Sequence, residues 1–189
     1  MKITKHYLET LVEEILVEDS IPSKVEDSIP SKGGITTLYH FTQESPENAK
    51  EKIELDPEKF GKMGYSKKDL AVSAVPRTFF YVDPAEKETF FANKALYTAK
   101  IPTANIYNLE EDPDGVKAAV KAENYNILDM DQVLKKVSGW SQGAWGTEDQ
   151  GKWIKGPGIA DGMYYETPTF AVVVMFVPVE AYLAVEQPS

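Results

Sequence analysis

The chain has 189 residues, a hydrophobic fraction of 42%, no cysteine and a formal net charge of −10. That supplies the core of one ordinary domain plus an extension, and the missing cysteines exclude disulfides, thiolate nucleophiles and thiolate metal sites. The acidic balance argues against nucleic acid as a partner and against an anionic membrane surface, because both recruit Lys and Arg.

The first 16 residues read as an amphipathic helix. Ile3, Tyr7, Leu8, Leu11, Val12, Ile15 and Leu16 recur at three- and four-residue spacing and form one apolar stripe. Such a stripe suits packing on the domain, an oligomer contact with its own copy, or docking on a larger assembly. Lys2 and Lys5 are soon followed by Glu9, Glu13 and Glu14, which does not read as a secretory signal. An exact tandem repeat follows, Val17-Glu18-Asp19-Ser20-Ile21-Pro22-Ser23-Lys24 and then Val25-Glu26-Asp27-Ser28-Ile29-Pro30-Ser31-Lys32. Two short proline-bearing copies cannot bury a core, so residues 17–34 read as a linker ending at Gly33-Gly34. The main domain is then 35–189.

Within it, residues 35–41 are apolar and β-branched and predict a first strand. Ser45-Pro46-Glu47 predicts a helix start running to Ile53, with proline at the first helical position. Residues 56–68 read as a loop, and Thr78-Phe79-Phe80-Tyr81-Val82 as a strand. Asp83-Pro84 predicts a short helix to Ala92. Two strand pieces, 95–101 and 105–109, are expected to bend at Pro102. Helices are expected from Asp112 to Glu123, and from Asp129 or Asp131 to Gly139. Residues 140–161 hold the three tryptophans among glycines and read as a long loop, before strands at 163–165 and 170–179. The apolar run from Phe170 is far shorter than the roughly 20 residues of a membrane-spanning helix and reads as a buried strand. Strands interleaved with short helices, without a βαβ rhythm, give an α+β class.

Several chemistries are missing from the sequence. Gly156-Pro157-Gly158 lacks the lysine and hydroxyl residue of a phosphate loop. No serine sits in a nucleophile-elbow setting, and two histidines, His6 and His40, are too few for a histidine-rich metal site. What remains is Leu38-Tyr39-His40-Phe41-Thr42. In a strand, His40 shares one side with Leu38 and Thr42. The plain reading is a core histidine satisfied by a backbone carbonyl; the functional reading has His40 and Thr42 lining a cleft.

Leu38-Tyr39-His40-Phe41-Thr42 resembles the first-strand motif of the histidine-containing ADP-ribosyltransferases, often Leu-Tyr/Trp-His-Gly-Thr/Ser, with Phe41 in place of the glycine. The resemblance implies that His40 hydrogen-bonds a ribose hydroxyl of NAD and that Thr42 helps hold the nicotinamide end. Arg77-Thr78-Phe79-Phe80-Tyr81 is similar to the family's aromatic strand. There Tyr81 or Phe79 would stack on nicotinamide, and Arg77 would pair with the pyrophosphate or form an ordinary surface salt bridge. Gly162-Met163-Tyr164-Tyr165-Glu166 resembles the late strand that carries the catalytic glutamate. Glu166 is the candidate, with Glu148 in reserve, and the loop from Trp140 to Trp153 would form a wall or recognition loop.

The family implies a mixed or antiparallel split β-sheet, NAD as co-substrate, and transfer of ADP-ribose to an unidentified host or phage target. The chain's opening resembles the amphipathic starts of many bacteriophage reading frames, so the expected location is the host cytoplasm or the virion. A second reading is a catalytically inactive virion-associated or host-inhibiting binding protein on the same fold, tethered by its N-terminal helix. A third, a DNA mimic, rests on net charge alone. An enzyme needs His40, Tyr81 and Glu166 to converge on one pocket, whereas a tethered binding protein leaves them apart.

Overall fold

A computed structural model of the chain describes residues 34–60, 75–83, 93–167 and 171–184. The expected N-terminal helix, the linker up to residue 33 and the expected helix at 84–92 lie outside the described residues. In chain order the strands are β1 (Ile35–Phe41), β2 (Lys52–Leu55), β3 (Thr78–Tyr81), β4 (Leu96–Pro102), β5 (Ile106–Asn108), β6 (Trp140–Gln142), β7 (Trp153–Lys155), β8 (Gly162–Glu166), β9 (Ala171–Met175) and β10 (Val179–Leu183). The helices are one turn, α1 (Pro57–Phe60), then α2 (Val116–Glu123) and α3 (Met130–Ser138).

These elements make an α+β domain with a mixed eight-stranded sheet, ordered β2-β10-β4-β1-β3-β9-β8-β5, and a two-stranded β6-β7 sheet. Every neighbouring pair in the large sheet is antiparallel except β5 and β8. Alternation along each strand gives the sheet two unlike faces. One face carries Leu38, Leu55, Phe80, Tyr97, Ala99, Ile106, Tyr164, Val173 and Ala181 in a single buried cluster to which all eight strands contribute. On the other face, Tyr107, Met163 and Val174 pack under α2 and α3 against Val116, Val120, Val133, Leu134 and Val137. Burying each such aliphatic side chain fully is worth about 1.5–3 kcal/mol, so the helices are held by this stripe rather than by their own short ladders.

The ends of α3 follow from local chemistry. The Asp129 carboxylate accepts the N–H groups of Asp131 and Gln132, and Gly139 leaves the helix at φ 74° with its N–H on the Lys135 carbonyl. The helix expected from Asp112 starts later, at Val116, after Gly115. Asp112 still serves it, because both carboxylate oxygens accept the Lys117 N–H at 3.1 Å.

The stretch expected as a loop over 56–68 opens with the helical turn α1, and three further expectations change. Residues 46–53 form only a 3-10 turn at Pro46–Asn48, followed by β2. That stretch has no helical apolar stripe, whereas Ile53 and Leu55 alternate and pair with Ala181 and Val179. The single closing strand is two strands, β9 and β10, broken at Phe176-Val177-Pro178. Phe176 gives its N–H to the Asp161 carbonyl, and Pro178 has none to give. The tryptophan-rich loop contains the β6-β7 hairpin, in register from Trp140↔Lys155 to Gln142↔Trp153.

Candidate functional site

β1 and β3 lie side by side at the centre of the sheet, with Tyr39 opposite Tyr81. That register puts His40 on the face of Phe80, and the ring contacts agree. His40 and Phe80 have ring centroids 5.6 Å apart, while Phe41 lies 6.2 Å from Tyr81. His40 therefore faces the all-strand core. Phe79 and Tyr81 project from the opposite side together with Tyr39 and Phe41.

His40 is held in place by its Nδ1, which lies 2.8 Å from the Phe79 carbonyl oxygen. A carbonyl only accepts, so Nδ1 carries the proton and Nε2 is the acceptor nitrogen of the neutral ring. Burial lowers the imidazole pKa below its usual 6.5, against an upward pull from the Phe79 carbonyl. Thr42 gives its N–H to the Ala95 carbonyl at 3.0 Å. The Thr42 and Thr78 hydroxyls are buried without a hydrogen-bond partner. Extending the β1–β3 register sets them opposite one another on the face of His40.

On the outer face, the Arg77 guanidinium lies 5.3 Å from the centroid of the Phe79 ring, and its Nη1 donates to the Val75 carbonyl at 3.0 Å. Phe79 is 42% exposed. Tyr165 joins this side through the shared register of Tyr81 and Tyr165 with Val172. Burial raises the Tyr165 phenol above 10, opposed by the positive charge of Arg77. Tyr39, Phe41 and Tyr165 stand inside the motifs quoted from the sequence, but the sequence assigns none of them a binding role. The alternation around His40 places Tyr39 and Phe41 together, but nothing local links them to Phe79.

Glu166 ends β8 on the face of His40, with β3 and β9 between their strands, a lateral separation on the order of 14 Å at normal strand spacing. It is exposed. It accepts the Tyr164 hydroxyl at 2.9 Å, and its N–H donates to Glu110 Oε1 at 3.1 Å. Glu148 is exposed in the turn between β6 and β7, near Trp145, which is 91% exposed. Trp140, which opens β6, is instead buried, with the Lys155 ammonium 5.7 Å from its ring centroid.

His40, Tyr81 and Glu166 therefore do not converge on one pocket. His40 and Tyr81 stand on opposite faces because adjacent strands pair 39 with 81. A cavity of about 640 Å³ lies between β4 and β10, lined in part by Lys100, Asn105, Asp161, Met175 and Glu180, and none of the expected site residues borders it. Among the described residues no three His, Asp or Glu side chains gather as a metal site would require, and no helix is long and apolar enough to cross a membrane. Comparisons with protein-family models, curated proteins and solved structures each find no match.

Proposed function

We propose that this domain is an ADP-ribosyltransferase-like scaffold that works as a non-catalytic binding protein for a macromolecular target. The supporting observation is the division of the motif residues between two faces. His40 is spent on the Phe79 carbonyl and the core, while Arg77, Phe79 and Tyr81 join Tyr39 and Phe41 on the outer side. Aromatic side chains on a rigid sheet, beside an arginine, have the composition of an interface centre. In this reading the amphipathic stripe of residues 1–16 tethers the domain within a virion or to a host factor.

A second reading, the NAD-consuming transferase, draws support from a different observation: His40 and Glu166 lie on one face of the sheet. There His40 would orient the ribose and Glu166 would stabilise the developing positive charge of the sugar, with ADP-ribose passing to an unidentified acceptor.

Nicotinamide release from NAD by the purified chain, alone and with host lysate as acceptor, separates the two. The binding reading expects no release above a protein-free control, and no difference between the natural chain, His40→Ala and Glu166→Gln. Release abolished in both variants, with their folds intact, overturns it in favour of the transferase.

A further inference from the structure

β10 pairs with β2 along its length, from Val179↔Leu55 to Tyr182↔Lys52, yet it meets β4 at only Tyr182↔Thr98 and Leu183↔Tyr97. The direction of the remaining backbone groups follows from bonds at the closed end. Leu183 gives its N–H to the Glu51 carbonyl, on the β2 side, and Ala184 gives its N–H to the Leu96 carbonyl of β4. Backbone polar groups of a strand alternate sides with each residue. Glu180 therefore directs its N–H and C=O toward β4, and Lys100 directs its own toward β10. No strand pair joins β4 and β10 at these two residues. The 640 Å³ cavity occupies this opening, a size within the usual range of about 300–1,000 Å³ for ligand sites.

The cavity wall is chemically divided. Met175 and Val179 are buried at its base, with Ile101, Val177 and Pro178 beside them. Its charged lining groups are Asp161, Glu180 and Lys100. Glu180 is held by Lys52 at 2.6 Å, and Asp161 accepts the Asn105 amide at 3.2 Å. With Glu180 already neutralised by Lys52, Asp161, which holds only a neutral amide, is the lining carboxylate left to receive a cationic group.

We propose that this seam binds an extended peptide, which enters between β4 and β10 as an added strand and presents basic side chains to Asp161. Facing main-chain edges suit a peptide, because one inserted strand supplies donors and acceptors to both sides at once, while alternate side chains reach the apolar base. The seam is separate from the outer aromatic face and does not depend on what that face binds.

The test titrates the full isotope-labelled chain with the capped pentapeptide Val-Lys-Val-Lys-Val and follows backbone amide resonances. The expected result is saturable binding, with the largest shifts at Lys100, Glu180 and Asp161. N-methylation of alternate peptide amides should weaken binding by about tenfold or more, as expected for the loss of one or two net hydrogen bonds. Val-Glu-Val-Glu-Val should bind more weakly, and Asp161→Asn should narrow the difference between the two peptides. No saturable binding, indifference to N-methylation, equal binding of the acidic peptide, or shifts confined to the outer face would each overturn the proposal. The N-methylation comparison uses the natural chain and decides the matter even if Asp161→Asn fails to fold.

Discussion

If His40 is a structural histidine, replacing it should cost stability in a pH-dependent way. In His40→Ala the Phe79 carbonyl loses the donor now 2.8 Å away, and the fully buried Phe80 loses a ring whose centroid lies at 5.6 Å. The ring is half-buried and the bond reaches an exposed residue, so its loss costs about 0.5–1.5 kcal/mol, and the lost contact with Phe80 brings the total to about 1–2 kcal/mol. In a domain of this size that corresponds to a Tm lower by roughly 2–8 °C at pH 8. Burial holds the folded-state pKa below 6.5, so on acidification the unfolded chain takes up the proton first. The contribution of the neutral ring is present in full above the unfolded value and is lost as the pH falls through 6.5 and the folded pKa. His40→Asn removes this dependence. Thermal melts of the natural chain and both variants at pH 8, 7, 6 and 5.5 measure the effect. With only two histidines in the chain, proton NMR follows the imidazole directly. A His40 titration at or above 6.5, or a Tm of His40→Ala equal to the natural one at pH 8, would refute the structural role.

Asp112 ties β5 to α2, accepting the Tyr107 hydroxyl at 2.7 Å and the Lys117 N–H at 3.1 Å, so Asp112→Ala should cost about 2–3 kcal/mol in urea unfolding. Burial pushes the Asp112 carboxyl up, but Tyr107 and the first amides of α2 outweigh it and hold the pKa low. Its contribution is therefore present above the unfolded carboxylate value and lost as the pH falls through the folded pKa. Burial first, and then Asp112, pushes the Tyr107 phenol up to about 12, so ultraviolet titration should find it ionising late in the natural chain and earlier in Asp112→Ala. Gly139→Ala would force a side chain at φ 74° and bring its Cβ to 2.5 Å from the Pro157 carbonyl oxygen. The expected loss is about 2–4 kcal/mol, seen as a lower urea midpoint with an unchanged slope.

The elements legible in the sequence were those with a local cause. α3 could be bounded at both ends because Asp129 caps it and Gly139 releases it within a few residues of the apolar stripe Val133, Leu134 and Val137. β1 and the aromatic strand β3 were readable from composition, and the bend at Pro102 from the ring that fixes its φ. β2 was misread because the serine and proline before it signal a helix start, while its real partner, β10, lies more than 120 residues away. The break between β9 and β10 was hidden in one apolar run, since both strands are buried and look alike.

The same limit governs the site. By itself the sequence determined a cysteine-free, acidic α+β chain, and it determined that His40 and Leu38 share a face of their strand while Tyr39 and Phe41 share the other, because side chains alternate with a period of two. It could not determine which of these faces Phe79 and Tyr81 join. A shift of one residue in the pairing of β1 with β3 would carry both rings to the side of His40. Only the tertiary structure fixed that register, at Tyr39↔Tyr81, because it depends on how the two strands pack together in the sheet and not on anything local to either one. The parting of β4 from β10 belongs to the same class: two strands some 80 residues apart meet at two positions, and no residue in either announces the gap.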